Sequence, residues 1–222
     1  KLVEQAKKVG LDILGITDHN STKHALLTQK IAARENIFVL CGAEITTKEE
    51  VHVLCFMPDS KSLFLLQEYI DTYLIKVENN VKLFGEQLVV NEDEEILAEE
   101  DCLLINAIDQ NINQISEFVH RHQGIFIPAH IHRPAFSLLG QLGFIPPDLI
   151  CDAFELWKTD SKKITTQFPY IKNSSFIRSS DAHFINDIGI KSTEFYLMER
   201  SFDEIKLALN QQSGRHCKIV ES

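Results

Sequence analysis

No apolar run in this sequence approaches the roughly 20 residues that a bilayer-spanning helix requires, so no membrane segment is expected. A Cys-x-x-Cys pair is also missing. The five cysteines, Cys41, Cys55, Cys102, Cys151 and Cys217, are odd in number and irregularly spaced, which argues against a zinc ribbon and against a disulfide framework. Most of them lie in apolar stretches, the pattern of free thiols in a reducing cytosol, and a cytoplasmic protein is expected. There is no signal-peptide pattern, internal repeat, low-complexity tract or flexible linker. Basic residues are in deficit: 22 Lys and Arg face 32 Asp and Glu, for a formal charge of −10. With no basic stripe visible, this balance argues against nucleic acid as the main partner. A small phosphorylated substrate is compatible with it, because bound cations reverse the field locally.

What is present suits one globular domain over residues 1–222, with 44% hydrophobic and 24% charged residues. Strand-like and helix-like segments alternate. Helices are predicted over 1–9, 22–34, 59–77, 111–122, 134–142, 159–166 and 202–210. Strands are predicted over 11–17, 37–43, 51–57, 125–127, 150–156, 175–179 and 193–197. The stretch 81–100 reads as a hairpin or an irregular excursion. Such alternation implies a largely parallel sheet, either a barrel or a doubly wound layer.

Metal-capable side chains fall where the strands end. The run Ile13–Thr17 leads into Asp18-His19, Ile37–Ala43 into Glu44, Ile125–Ala129 into His130, and Phe176–Ser180 into Asp181-Ala182-His183. In a parallel α/β barrel those ends converge on one face, and imidazole with carboxylate suits zinc, manganese or iron. Alternation along an extended chain sends Asp181 and His183 to the same side. His52 instead begins its strand, so only a tight turn after Glu44 returns it to the same rim. His24, His120 and His122 fit structural roles on helices, and His216 lies in a polar tail. His132 either faces the metals or lines the pocket mouth.

Together, Thr17-Asp18-His19, Gly42-Ala43-Glu44 with His52, Pro128-Ala129-His130 and Ser180-Asp181-Ala182-His183 resemble the PHP family, named for its polymerase and histidinol phosphatase members. The resemblance implies a distorted (β/α)7 TIM-like barrel and a centre of two to three divalent ions. It implies that Glu44 bridges two ions, that His52 and His130 complete one site, that Asp181 serves another, and that His19 and His183 hold a third. The family's opening His-x-His motif has no counterpart, so the barrel is expected without its first strand. Some members carry Asp where this chain has His132.

The chemistry implied is hydrolysis of a phosphate ester by a metal-activated water. Asp18, Asp181 and a metal-bound histidine are candidates for proton transfer, and Arg133 and Arg178 for gripping phosphate. A structural salt bridge is the competing role for each arginine. Two other readings use the same residues: an amidohydrolase-type metal hydrolase, which Glu44 in the bridging position disfavours, and a non-catalytic binding or regulatory module. Natural substrate, metal identity and oligomeric state are not legible.

Overall fold

The computed structural model describes residues 1–220. In chain order the elements are α1 (Leu2–Lys8), β1 (Ile13–Ile16), α2 (Ala25–Ala33), β2 (Phe38–Thr46), β3 (His52–Phe56), α3 (Ser60–Tyr73), α4 (Val81–Phe84), β4 (Leu88–Val90), β5 (Ile96–Glu99), α5 (Ile112–Arg121), β6 (Ile125–Pro128), β7 (Phe154–Glu155), α6 (Ser161–Gln167), β8 (Phe176–Ile177), β9 (Thr193–Tyr196), α7 (Phe202–Leu209) and β10 (His216–Ile219). Among the described residues, no helix is long and apolar enough to cross a membrane.

The two-residue period of a strand sorts β2 and β3 into two faces. Val39, Cys41, Val53 and Cys55 join the core shared with Leu63, Leu66, Ile115 and Val119 of the covering helices. Leu40, Leu54 and Phe56 join Ile125, Ile127 and Ile177 in a second, inner cluster. Glu44 and His52 share the parity of this inner set. The helices start on their own caps: Asp59 accepts the Ser62 N–H at the head of α3, and Asn111 with Gln114 forms a reciprocal capping box on α5. Gly42 is a packing requirement, because a Cβ there would lie 2.1 Å from the Cys55 carbonyl oxygen.

The main sheet has the order β1-β2-β3-β6. β1 pairs with β2 in parallel, whereas β2–β3 and β3–β6 are antiparallel. The expectation of a largely parallel sheet is therefore corrected. Residues 47–51 are too few for a crossover, and a short connection of this kind can only return the chain antiparallel. β7 and β8 form a parallel pair, β9 and β10 an antiparallel pair, and β4 and β5 the predicted hairpin excursion. The Asp152 N–H bonds to Phe126 O, and the Ile131 N–H to Glu155 O, which sets β7 beside β6. Among the described residues these sheets do not close into a barrel. Among the described residues no strand lies on the outer edge of β1, and a cavity of about 1600 Å³ opens there, lined by Leu14, Leu40, Leu54, Ile125, Ile177 and Phe195.

Two local expectations are also corrected. The helix predicted over 134–142 is a single wide turn, Leu138–Leu142, that begins at the Ser137 cap and stops at Gly143. Phe136, at φ +56°, keeps the preceding segment out of helix. The tail around His216 is a strand, with Cys217 and Ile219 turned inward against β9.

Candidate metal centre

Because β3 runs opposite to β1, β2 and β6, its first residue lies at the same edge as their last ones. His19 continues the β1–β2 pairing as an isolated parallel bridge to Glu44. The Glu44 N–H bonds to Asp18 O and the Asn20 N–H to Glu44 O. Asn20 locks this segment by donating to the Leu104 and Asn106 carbonyls. His52 stands opposite Thr46 in the β2–β3 register, and His130 follows the end of β6 with φ +30°.

The four side chains converge. Glu44 is 6% exposed, and its Oε1 lies 3.1 Å from His52 Nδ1 and 3.5 Å from His130 Nε2. Its Oε2 lies 3.8 Å from His19 Nδ1. Ring centroids are 5.1 Å apart for His19 and His52 and 5.4 Å apart for His52 and His130. His52 is stacked on Phe136 at 4.8 Å. Burial alone would raise the Glu44 pKa, but His130 and His52 outweigh it and hold the carboxyl well below the usual carboxylate range. Burial lowers the His19 pKa, with the neighbouring His52 and His183 adding to the effect against Glu44.

Several nitrogens in this cluster are buried without any hydrogen-bond partner: His19 Nδ1, His52 Nε2 and both ring nitrogens of His130. Buried polar atoms are ordinarily satisfied. Orphaned imidazole lone pairs around an ionised carboxylate are the donor set a divalent cation uses. His19, Glu44 and His52 offer ligand atoms all within 4.8 Å of one another and could hold a metal ion.

The other candidates lie at the rim. The His183 ring is 6.1 Å from that of His19, with the side chain 57% exposed. Asp181, at φ +49°, sends Oδ2 to Arg133 Nη1 at 3.2 Å and Oδ1 to within 3.8 Å of His183 Nδ1. Arg133 thus makes an ion pair, whereas Arg178 donates from Nη2 to the Thr159 carbonyl. Asp18 does not join Glu44. Its Oδ2 lies 3.3 Å from His24 Nδ1, which raises the His24 pKa through that hydrogen bond. Consecutive residues on an extended chain face opposite ways, so His19 takes the inner side and Asp18 cannot. His132 Nε2 is engaged elsewhere, accepting the Lys158 and Thr159 N–H groups.

Sequence reasoning missed Glu155. It is 4% exposed, its Oε2 accepts the His130 N–H at 2.9 Å, and its Oε1 accepts the Ser179 hydroxyl. Burial pushes its pKa up. The available signal was weaker than the one that marked Glu44: an acid inside the apolar run Ala153-Phe154-Glu155-Leu156-Trp157 rather than at its end.

No family model matches the chain. It is 26% identical to the uncharacterized protein YqxK of Bacillus subtilis (strain 168) over 243 residues, covering 99% of this chain and 56% of that protein. The chain thus spans about half the length of the curated relative it matches. Among solved structures it is similar to the lesion-specific endonuclease Endonuclease Q of Pyrococcus furiosus, with a TM-score of 0.72 and 19% identity, over 97% of this chain and 52% of that one. Endonuclease Q has also been solved with a 27-mer duplex substrate bearing an abasic lesion at the active site, at a TM-score of 0.72 and 18% identity, with the same coverage. A Bifidobacterium adolescentis protein, proposed to be a metal-dependent phosphoesterase, matches with a TM-score of 0.57 and 16% identity, over 82% of this chain and 81% of its own. These likenesses establish the fold. They also overturn the expectation that charge balance sets nucleic acid aside, since a DNA-cleaving enzyme shares this architecture. Net charge is a sum over the whole surface, whereas recognition depends on the field at one face.

Proposed function

We propose that this chain is a metal-dependent phosphoester hydrolase domain of the PHP type, acting on phosphodiesters of nucleic acid. The observation that carries this reading is Glu44 ringed by His19, His52 and His130 with buried, unpartnered ring nitrogens. In it Glu44, His52 and His130 would hold one divalent ion, Glu44 with Asp181 a second, and His19 with His183 a third, the metals being zinc, manganese or iron. The separate sheets are then arcs of one distorted barrel whose ends carry the ligands. Support for phosphoester chemistry comes from the proposed metal-dependent phosphoesterase among the structural neighbours, and for nucleic acid from Endonuclease Q.

Divalent ions in such a site polarise a phosphoryl oxygen and bring the pKa of a bound water near neutrality. The chain's own residues set the rest. Arg133, ion-paired with Asp181, would grip a phosphoryl oxygen. Asp18 and Asp181 both stay candidates for proton transfer, since His24 engages the one and Arg133 the other. The test is elemental analysis of protein purified without chelator, followed by hydrolysis of bis(p-nitrophenyl) phosphate and of an amide panel with added Mn²⁺ or Zn²⁺. Chelator-sensitive phosphodiester turnover is expected. Protein that is isolated without metal and stays inert when Mn²⁺ or Zn²⁺ is added, or turnover confined to amides, would refute the reading.

A further inference from the structure

The deficit of basic residues is not evenly spread. Residues 158–191 contain six Lys and Arg against three Asp, in a chain whose total charge is −10. Ten of the sixteen basic residues elsewhere are paired with acids, such as Arg34 with Glu92, Lys48 with Asp109 and Arg215 with Glu204. In this sector, among the described residues, the cations contact something else. Lys158 lies over the Trp157 ring at 4.0 Å, Lys191 donates to the Trp157 carbonyl, and Arg178 donates to the Thr159 carbonyl. Lys162 and Lys163 are exposed in the first turn of α6, where the macrodipole would favour acids and none is present.

The loop that carries Trp157 is held from both sides. His132 Nε2 accepts the N–H groups of Lys158 and Thr159, both at 3.1 Å. Lys191 and Arg178 bind the carbonyls of Trp157 and Thr159, each at 3.2 Å. An aromatic ring and a lysine are thus fixed on a backbone with four polar groups engaged. This loop begins two residues after Glu155, and His132 stands two residues after His130, so the platform adjoins the metal-capable cluster.

Unneutralised cations cost self-repulsion unless an anion visits them, and one phosphate needs fewer than five. We propose that Trp157, Lys158, Lys162, Lys163, Arg178 and Lys191 form the path of an unpaired nucleic-acid strand leaving the metal centre, with phosphates on the cations and a base stacked on Trp157. Single strands bind in this manner, with charge tracking the backbone and aromatic faces taking the bases. The assignment rests on the phosphodiesterase reading and deepens it by naming the nucleic acid as an unpaired strand and the face along which it runs.

The test is fluorescence-anisotropy titration of a labelled single-stranded oligonucleotide in EDTA, where no turnover occurs, across a series of salt concentrations. Lys158→Glu/Lys163→Glu is compared with Lys61→Glu/Lys82→Glu, which makes the same charge change on exposed lysines outside this sector. The rim variant should lose at least about tenfold in affinity and flatten the salt dependence, each lost phosphate contact removing roughly 0.7 from the log–log slope. Trp157→Ala should weaken binding by roughly five- to hundredfold, the value of one stacked base. Equal losses in rim and control variants, or wild-type binding that ignores salt and all substitutions, overturn the proposal. Bis(p-nitrophenyl) phosphate turnover by the metal-loaded wild type is measured separately. Turnover without rim-dependent binding rejects the strand path alone, and binding without turnover rejects the hydrolase reading alone.

Discussion

Glu155 accepts the backbone N–H of His130 at 2.9 Å through one carboxylate oxygen and the Ser179 hydroxyl through the other. One buried side chain on β7 thereby spans the ends of β6 and β8, the two strands that lead to His130 and Asp181. The carboxylate sets the spacing of the candidate ligands without being among those that line Glu44.

Replacing Glu155 with Ala should therefore release His130 and lower metal content per chain. It should also cost about 1–3 kcal/mol of stability by leaving a buried N–H unpaired. Glu155→Gln retains an acceptor for His130 and a donor toward Ser179 Oγ, so it should keep most of the metal. Elemental analysis beside chemical denaturation separates the two effects. A Gln variant as metal-poor as the Ala variant would show that charge, not positioning, is what Glu155 supplies.

His130→Ala should reduce chelator-sensitive phosphodiester turnover more than the roughly 10- to 100-fold typical of residues that only support a metal ligand. The fold should persist, because the ring nitrogens make no hydrogen bond that holds it. Circular dichroism and activity on the same preparation check this. Turnover within a few-fold of wild type would remove His130 from the centre.

Acid stability should depend on Asp152, remote in sequence from the ligands. Burial alone would raise its pKa, but His120 Nε2 at 3.1 Å, the Phe126 N–H and the Asn210 amide together lower it. A carboxyl with a depressed folded-state pKa contributes stability that is present above its unfolded pKa, about 4, and is lost as pH falls through the folded value. Asp152→Asn should cost about 1–3 kcal/mol at pH 7 and flatten the decline in melting temperature below about pH 4 relative to wild type. Parallel acid limbs for the two proteins would exclude this role.

Gly42→Ala should be among the most damaging small substitutions. Its methyl would fall 2.1 Å from the Cys55 carbonyl oxygen, so β2 and β3 must separate. Overpacking of this kind costs about 1–3 kcal/mol or more, and here it also moves Glu44 relative to His52. Urea denaturation and metal content should both fall, and an unaltered midpoint would show that the strands yield easily.

Much of the site was legible because a strand is a short apolar run with a visible end. That rule puts Glu44, His130 and the Asp181–His183 pair at strand ends as candidates. Glu155 escapes that rule, because Leu156 and Trp157 continue its apolar run and an acid among apolar residues shows no partner in one dimension. Asp18 was chosen alongside its neighbour His19, although only one of two adjacent residues can face inward.

The sequence by itself determined the alternation of Val39, Leu40 and Cys41 between two faces, the caps of α3 and α5, and the placement of metal-capable residues at strand ends. All of these follow from periodicity and local chemistry along the chain. Tertiary structure decided the reversed direction of β3, the clamp between Glu155 and His130, the partner of Asp18, and the gathering of unpaired cations around Trp157 in an acidic protein. Each depends on which segments meet in space, and a linear pattern specifies the faces of a strand without specifying its neighbour.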